Sequence, residues 1–300
     1  MDEKSLIAQF ELQRANGDLA RERGDLAAAE TSFRELLRLA ELLLSLKGET
    51  PDVLRSVWIS HQRLGDIVRD RGALPEAEEH FRESLRLSER RRALEGETPD
   101  VLKSHSISHN RLGFLALFVG APAEAEEHFR EVRSLVQLWR VLEGETPDVL
   151  KRLSSAHVML GFAASHLDAL PEEEKHFREA LRINEQRRTL EGETPEILQE
   201  LSSVHELLGY LAHDRDALPE AEEHFREVLR INEQRRTLEG ETPEILQELS
   251  SVHERLGHLA HDRDALSEAE EHYLWPPART CRNLAGLKMR KNWISRMNRK

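Results

Sequence analysis

The tetrapeptide Gly-Glu-Thr-Pro recurs at a fixed interval, and it constrains the fold more than any other feature of the sequence. Its copies begin at Gly48, Gly96, Gly144, Gly192 and Gly240, so every interval is 48 residues without insertion or deletion. A fixed period of this size indicates a stack of similar units, each burying its apolar face against its neighbours. We therefore expect one continuous solenoid rather than one or two irregular globular domains.

The tetrapeptide also predicts where helices end and begin. Glycine suits the left-handed residue just after a helix, threonine can cap the next helix, and proline fits its first position. Between copies, apolar residues recur at helical spacing from Pro51 to about Arg71, and a second pattern runs from Pro75 to about Leu94. Each period thus predicts two helices of roughly 20 residues, and the short loops between them place neighbouring helices antiparallel.

Four positions in each period carry a likeness to a known repeat family. In the second period they are Leu64-Gly65, Gly72, Ala77 and Phe81. The first glycine returns at Gly17, Gly113, Gly161, Gly209 and Gly257, and the aromatic residue returns at Phe33, Phe129, Phe177, Phe225 and Tyr273. This order and spacing resemble the tetratricopeptide repeat signature. The period exceeds the usual length of roughly 34 residues, and the Gly-x-x-Pro junction makes it similar to the kinesin-light-chain type.

The resemblance implies an all-α fold, a right-handed α-solenoid of antiparallel helix pairs. Six copies are expected within residues 1–273, at 1–47, 48–95, 96–143, 144–191, 192–239 and 240–273. After His272 the pattern fails, because two prolines follow within five residues and a proline inside a helix costs about 3 kcal/mol. Residues 274–300 are expected to form a basic C-terminal tail or capping helix.

The distribution of charge along the sequence limits the classes of partner that the chain can bind. The net charge of the chain is −13, yet residues 274–300 contain lysines and arginines and no acid, so the body is more acidic than the total. An acidic body argues against nucleic acid, because phosphate binding needs a basic face. Three roles for the tail stay open: a cap or frayed end, an anchor for an acidic surface or anionic membrane, or a segment folded back onto the body. Membrane contact is therefore expected only through the tail.

Cysteine usage and the N-terminus predict a compartment. The single cysteine, Cys281, excludes an intramolecular disulfide framework and fits a reducing environment. The charged N-terminal residues lead straight into repeat-like sequence and lack the long apolar core of a signal peptide. We therefore expect a cytoplasmic protein.

No motif predicts catalysis or a cofactor. The sequence has no glycine-rich phosphate loop, no nucleophile elbow, no His-Glu-x-x-His and no cysteine pair for zinc. Ten of the 15 histidines occupy two positions of the repeat, represented by His61 and His80, and are expected to be structural. One metal alternative stays open: His258, His261 and Asp262, beside His213 and Asp214 of the preceding copy, could hold zinc or a similar ion. The other interpretation is a solvated polar wall.

The resemblance implies that the first helix of each copy lines a concave groove. Groove positions are mostly polar in the first two copies, for example Arg14, Asp18 and Asp66, include a central group of apolar residues in the third and fourth, and become polar again in the fifth and sixth. The predicted partner-binding residues are Ile107, Asn110, Phe114, Leu117, Phe118, Val158, Phe162 and Tyr210. A central apolar patch flanked by charge is typical of a binding hot spot with a polar rim. Extra core for the long helices and a homodimer seam are the alternatives.

The sequence therefore favours a non-catalytic protein–protein interaction scaffold that binds a peptide or protein segment in its concave groove, with no cofactor and no catalytic residues. One alternative is a regulatory or sensor subunit of a multi-protein enzyme system whose catalysis lies on another chain. A homodimerisation module is a second. An enzyme or metal protein that uses the His/Asp cluster is a third.

Overall fold

The computed structural model describes residues 3–274, and all regular structure within them is α-helical. The chain divides into two compact units, Met1–Ala169 and Leu170–Lys300. The first contains α1 (Glu3–Glu22), α2 (Leu26–Lys47), α3 (Pro51–Asp70), α4 (Leu74–Glu95), α5 (Pro99–Phe118), α6 (Pro122–Glu143) and α7 (Pro147–His166). The second contains α8 (Leu170–Glu191), α9 (Pro195–Asp214), α10 (Leu218–Glu239), α11 (Pro243–Asp262) and α12 (Leu266–Tyr273). The all-α class is confirmed.

Within each unit, every helix packs against the helix that follows it in the chain. An odd-numbered helix of 20 residues and an even-numbered helix of 22 residues form one repeat, except that α12 has only eight residues. The apolar stripe of each helix is buried, as with Val53, Leu54 and Val57 on α3. Each unit is therefore a solenoid segment of stacked helical hairpins. The limits of the six copies remain a prediction of the sequence.

The Gly-Glu-Thr-Pro junctions confirm the predicted helix boundaries. At the second copy, α4 ends at Glu95 and α5 begins at Pro99, while the Thr98 hydroxyl accepts a hydrogen bond from the Val101 amide at 3.4 Å. Gly96 has φ 77° and ψ −164°. This combination of positive φ with extended ψ is open essentially to glycine alone, and it differs from the left-handed helical conformation that the sequence suggested. Nothing lies within 4 Å of the place where a Cβ would stand, so lack of space does not require glycine here. The backbone conformation does.

A close glycine–aromatic contact joins the two helices of a repeat. A Cβ on Gly113 would lie 2.6 Å from Cε1 of Phe129, well inside van der Waals contact. The Phe129 side chain is fully buried against this bare stretch of α5. Only a residue without a side chain lets the two helices approach this closely.

Buried arginines hold successive repeats together. Arg91 on α4 is 2% exposed, and its guanidinium lies 2.7 Å from Asp100 on α5. On α10, Arg235 likewise lies 2.5 Å from Glu248 on α11. A buried cation is tolerated only when it is paired in this way. The third repeat departs from this pattern, because Trp139 occupies the arginine's position.

The predicted basic tail, residues 274–300, lies outside the described residues apart from Leu274, so its three proposed roles stay predictions. Among the helices of residues 3–274, none is long and apolar enough to cross a membrane.

Candidate functional site

The C-terminal end of α5 exposes a group of apolar side chains. Phe118 is 73% exposed, Val119 is 56% exposed and Phe114 is 37% exposed. Leu117 is half-buried and packs against the core between α5, α6 and α7. Because Phe114, Leu117 and Phe118 recur at three- and four-residue spacing, they lie on one side of the helix. We call Phe114, Leu117, Phe118 and Val119 the α5 apolar end.

Two of these positions are charged in most other repeats. Phe118 stands where the other copies have Glu22, Asp70, His166, Asp214 and Asp262, and Val119 stands where they have Arg23, Arg71, Leu167, Arg215 and Arg263. Three of those arginines pair with a glutamate on the second helix of the preceding repeat, as Arg263 does with Glu222 at 2.8 Å. The other two pairs are Arg71 with Glu30 and Arg215 with Glu174.

The third repeat has lost this ion pair between repeats. The glutamate that would meet residue 119 is Glu78, which keeps the pair with an arginine of its own helix, Arg82 at 2.5 Å, that the equivalent glutamates also make. The fourth repeat repeats the exchange, since Leu167 is exposed and the corresponding Glu126 pairs with Arg130 at 2.6 Å. Exposed apolar surface therefore stands where packing between repeats elsewhere uses charge, so the solenoid itself does not require it.

The other predicted binding residues of the first unit are less accessible. Ile107 and Asn110 on α5 are half-buried, as are Val158 and Phe162 on α7. The Phe114 ring meets the buried Phe129 ring edge-on, with centroids 5.7 Å apart, so Phe114 belongs partly to the core. This arrangement leaves Phe118 as the most exposed aromatic side chain of the predicted set.

Tyr210 lies in the second unit, where it is half-buried. Its hydroxyl donates a hydrogen bond to Glu206 Oε1 at 2.8 Å, and its ring meets Phe225 edge-on with centroids 5.4 Å apart. The Arg255 guanidinium lies 5.0 Å from the ring centroid. Burial raises the pKa of this phenol. The partner-binding role of all eight residues stays a prediction.

A cleft of about 390 Å³ opens between first helices of three repeats in the first unit. Its walls include Arg14 and Asp18 from α1, Gln62 and Asp66 from α3, and Ile107 and Arg111 from α5. Ile107, Arg111, Phe114 and Phe118 follow one another at three- or four-residue spacing. The cleft and the α5 apolar end therefore adjoin the same side of α5. We call this feature the α1–α3–α5 cleft.

Ion pairs neutralise the charges that line this cleft. The buried carboxylate of Asp66 lies 2.9 Å from the Arg111 guanidinium, and a second arginine, Arg69, lies 3.3 Å from its other oxygen. Asp18 pairs with Arg63 at 3.4 Å. Burial raises the pKa of Asp66 in spite of these arginines, and burial lowers the pKa of Arg111. The cleft is polar, but its charges already have partners within the chain.

The two recurrent histidine positions meet each other within a repeat. The paired Nδ1 atoms lie 3.0 Å apart in His61–His80, His109–His128 and His253–His272, and 3.1 Å apart in His205–His224. Burial, helped by the second imidazole, lowers the pKa of His61 to about 4. These contacts agree with the structural role predicted for the histidines.

The metal alternative finds no support in the part of the chain that the structure describes. No group of three or more His, Cys, Asp or Glu side chains there is arranged to hold an ion. His213 Nε2 lies 3.9 Å from Asp262 Oδ2, and the His258 ring meets the Tyr273 hydroxyl at 3.1 Å. These contacts form a chain of pairs rather than a converging set of ligands.

The profile that describes the tetratricopeptide repeat matches residues 62–100, which run from α3 through α4 into α5. This match covers the glycine, alanine and phenylalanine of the second copy, and the other copies repeat them in phase except at Glu173, which replaces the alanine, and Tyr273, which replaces the phenylalanine. Residues 62–100 therefore match a tetratricopeptide repeat. The resemblance inferred from the sequence is confirmed.

Solved structures share this all-α fold. BtubC (BKLC) from P. vanneervenii has 18% identity over 91% of this chain and 92% of its own, with a TM-score of 0.64. A putative kinesin light chain of Podosopora anserina with nearly identical repeats has 19% identity over 77% and 96%, with a TM-score of 0.54. The apo form of RapI has 13% identity over 88% and 94%, with a TM-score of 0.58. At these identities the likeness shows the fold. No curated protein matches the chain.

Sequence reasoning missed two residues of this tetratricopeptide-repeat surface, Val119 and Leu167. Both lie just beyond the first helix of their repeat, and each is an exposed apolar residue in a position that is otherwise arginine. The signal was present in the sequence as a change from arginine to valine or leucine at constant phase. Its meaning depends on the partner glutamate, which lies in the preceding repeat and is visible only in the structure.

Proposed function

We propose that this tetratricopeptide-repeat chain is a non-catalytic interaction scaffold that binds a protein or peptide segment on the face carrying the α5 apolar end and the α1–α3–α5 cleft. The observation that carries the proposal is the exchange at residues 118 and 119. There, an acidic residue and an arginine that pairs across repeats are replaced by an exposed phenylalanine and valine.

The exchange at residues 118 and 119 does not stabilise the free chain. The free chain leaves an aromatic and a β-branched side chain in water and forgoes an ion pair between repeats, so neither change stabilises the isolated solenoid. Burying one such side chain against a partner contributes about 1.5–3 kcal/mol. The second repeat carries charge at the equivalent positions, Asp70 and Arg71, so the α5 apolar end follows a charged repeat. An apolar centre beside charged positions suits a polypeptide partner.

The fold favours the same class of partner. Stacked helical hairpins present a long surface on which extended or helical segments can place apolar anchors. A second copy of the chain is one such partner, and it would bury the α5 apolar end in a homodimer. The test below separates the two occupants.

The proposal is tested with the double variant Phe118→Asp/Val119→Arg, which gives the third repeat the residues of the second. A phage-displayed library of random peptides is selected on the immobilised wild-type chain, and the enriched peptides are measured by fluorescence anisotropy. We expect the double variant to lose binding by about tenfold or more, because the anchor loses its apolar contact. Sedimentation velocity of both proteins detects self-association.

A control is Val141→Asp, which charges a still more exposed valine on α6. It should leave both peptide binding and sedimentation unchanged. If wild type dimerises and only the double variant is monomeric, the occupant is a second copy. The proposal is wrong if the double variant binds every enriched peptide as well as wild type and sediments identically.

A further inference from the structure

Gln62 lies in the wall of the α1–α3–α5 cleft and is almost completely buried. Its side-chain nitrogen donates hydrogen bonds to Ser84 Oγ at 2.6 Å and to Ser108 Oγ at 3.3 Å. Its carbonyl oxygen, Oε1, has no hydrogen-bond partner in the protein. A buried acceptor in that state costs free energy unless something from outside the chain satisfies it.

The serines fix the orientation of this amide. Ser84 donates its hydroxyl proton to the Phe81 carbonyl at 2.8 Å, and Ser108 donates to the Ser104 carbonyl at 3.3 Å. Ser108 also accepts from Trp58 Nε1 at 2.9 Å. If the amide were reversed, one serine would have to donate its proton to Gln62 Oε1 instead of to a helix carbonyl. The network therefore keeps the side-chain nitrogen on the serines and leaves the oxygen without a hydrogen bond.

The wall formed by α5 supplies the complementary group. Arg111 also lines the cleft, and its Nε is buried without an acceptor. Its terminal nitrogen is occupied by Asp66 at 2.9 Å. Two acceptors without a hydrogen bond, Gln62 Oε1 and Asp66 Oδ1 on α3, and one such donor, Arg111 Nε on α5, thus belong to residues that line the same cleft.

We propose that the cleft binds a neutral amide of the partner segment, an Asn or Gln side chain or a backbone peptide group, between Gln62 Oε1 and Arg111 Nε. An amide supplies an N–H for the first atom and a carbonyl for the second. The charged side chains of the cleft are already paired within the chain. A carboxylate of the partner would be repelled by Asp18 and Asp66, and an ammonium of the partner would be repelled by the three arginines of the cleft. This inference rests on the proposed function and specifies the partner's chemistry.

The spacing of the two contacts also follows from α5. Phe118 lies seven residues beyond Arg111, which is about 10 Å along a helix. An extended peptide advances about 3.3 Å per residue, so the amide and the apolar anchor should be separated by three positions. The recognised segment is then Asn or Gln followed, at the third position after it, by a bulky apolar residue.

The probes are synthetic peptides of the sequence Ser-Gly-Asn-Ala-Ala-Trp-Gly-Ser, labelled with fluorescein, in which Asn is also replaced by Ala, Asp or Lys. A second series moves Trp one position closer or farther. Fluorescence anisotropy with the full chain should show the Asn peptide binding about tenfold more tightly than the other three. The separation of three positions should be the best in the series.

Two variants of the chain test the assigned atoms. Gln62→Met removes the acceptor, and Arg111→Lys keeps the charge beside Asp66 but removes Nε; each should abolish the preference for Asn. Arg63→Lys is the matched control, because it makes the same change at an arginine that pairs with Asp18, and it should keep the preference. Thermal melts followed by circular dichroism show whether the variants are folded. If Gln62→Met does not fold, Arg111→Lys alone tests the amide site.

The outcomes separate this inference from the proposed function. Equal binding of all four peptides that is lost in Phe118→Asp/Val119→Arg overturns the amide site and keeps the scaffold. A preference for Asn that survives this double variant supports the amide site and removes the α5 apolar end from the proposal. A preference for Asp or Lys, or the absence of binding by any peptide, overturns the amide site.

Discussion

The Nδ1 atoms of His109 and His128 lie 3.0 Å apart, one on α5 and one on α6. One ring must donate the proton that the other accepts, so this contact requires at least one neutral imidazole. Burial and the neighbouring histidines lower the pKa of His109 to about 3. Burial, followed by the effect of the paired imidazole, likewise lowers the pKa of His205 and His253 to about 4. The contact between the two helices of each of these repeats thus depends on the neutral state of the histidine side chains.

Stability should therefore fall in mild acid. In the unfolded chain an imidazole titrates near pH 6.5, whereas folded His61 titrates near 4. The unfolded state binds protons first, so the contribution is complete above pH 6.5 and is lost as the pH falls towards 4. The free energy of unfolding should decrease by about 1.4 kcal/mol per pH unit for each extra proton bound. Urea unfolding at several pH values measures this slope.

The variant His61→Leu/His80→Leu provides the control for the acid effect. It removes one pair of titrating rings from the second repeat while keeping apolar contact between α3 and α4. Its unfolding free energy should fall less steeply between pH 6.5 and 4 than that of wild type. Parallel slopes for the two proteins would show that other groups cause the acid sensitivity.

Val119→Arg should stabilise the chain. The new arginine can reach Glu78, as Arg263 reaches Glu222 at 2.8 Å. An exposed ion pair contributes about 0.2–1 kcal/mol, and the change also removes exposed apolar surface. We expect a small rise in melting temperature, measured by circular dichroism, together with weaker peptide binding.

The matched control for this prediction is Leu12→Arg. Leu12 has the same exposed fraction, 56%, and its α1 neighbours one turn away are uncharged. This variant should melt at the wild-type temperature. If Val119→Arg melts lower than Leu12→Arg, the valine contributes to packing and the argument from the lost ion pair fails.

Gly113→Ala should destabilise the third repeat. The added methyl group would lie 2.6 Å from Phe129 Cε1, and overpacking of this kind costs about 1–3 kcal/mol. Phe129→Leu relieves the clash, so it should cost less stability in the Gly113→Ala background than in wild type. Thermal unfolding of the four proteins measures the difference, and additive costs would contradict the contact.

The sequence could predict the helices because their ends depend on local chemistry. Thr98 caps α5 and Pro99 begins it, whatever the rest of the fold does. Pairing between distant residues depends on helix packing, so it could not be predicted from the sequence. His61 and His80 are 19 residues apart on two helices, and nothing local states that their rings meet.

The candidate site was predictable only in part for the same reason. Phase comparison identified Phe114 and Phe118 together, because both stand where the first two copies carry acidic residues. It could not separate them, since the exposure of Phe114 depends on the Phe129 ring that it meets. The unsatisfied oxygen of Gln62 likewise depends on serines from two other helices, so the sequence carries no local sign of it.

The third repeat should tolerate a buried ion pair of the Arg235–Glu248 kind only when both partners change. Trp139 occupies the position of Arg91 and Arg235, and Arg152 occupies that of Glu248. The cations of Lys103 and Arg152 each lie 5.6 Å from the Trp139 ring, so the chain uses cation–π contacts here. Trp139→Arg adds a guanidinium beside those two cations, and Arg152→Glu brings a carboxylate to the ring face. Each single variant should lose stability.

The double variant Trp139→Arg/Arg152→Glu recreates the pair seen between Arg235 and Glu248 at 2.5 Å. Its loss of stability should therefore be smaller than the sum of the two single losses by about 1–3 kcal/mol, a coupling typical of side chains in contact. Chemical unfolding of the four proteins gives this coupling energy. Trp139→Leu combined with Arg152→Glu is the control, because leucine cannot pair with the new carboxylate, and it should show no favourable coupling. Equal coupling in both cycles would mean that relief at residue 152 alone, and not a restored ion pair, explains the rescue.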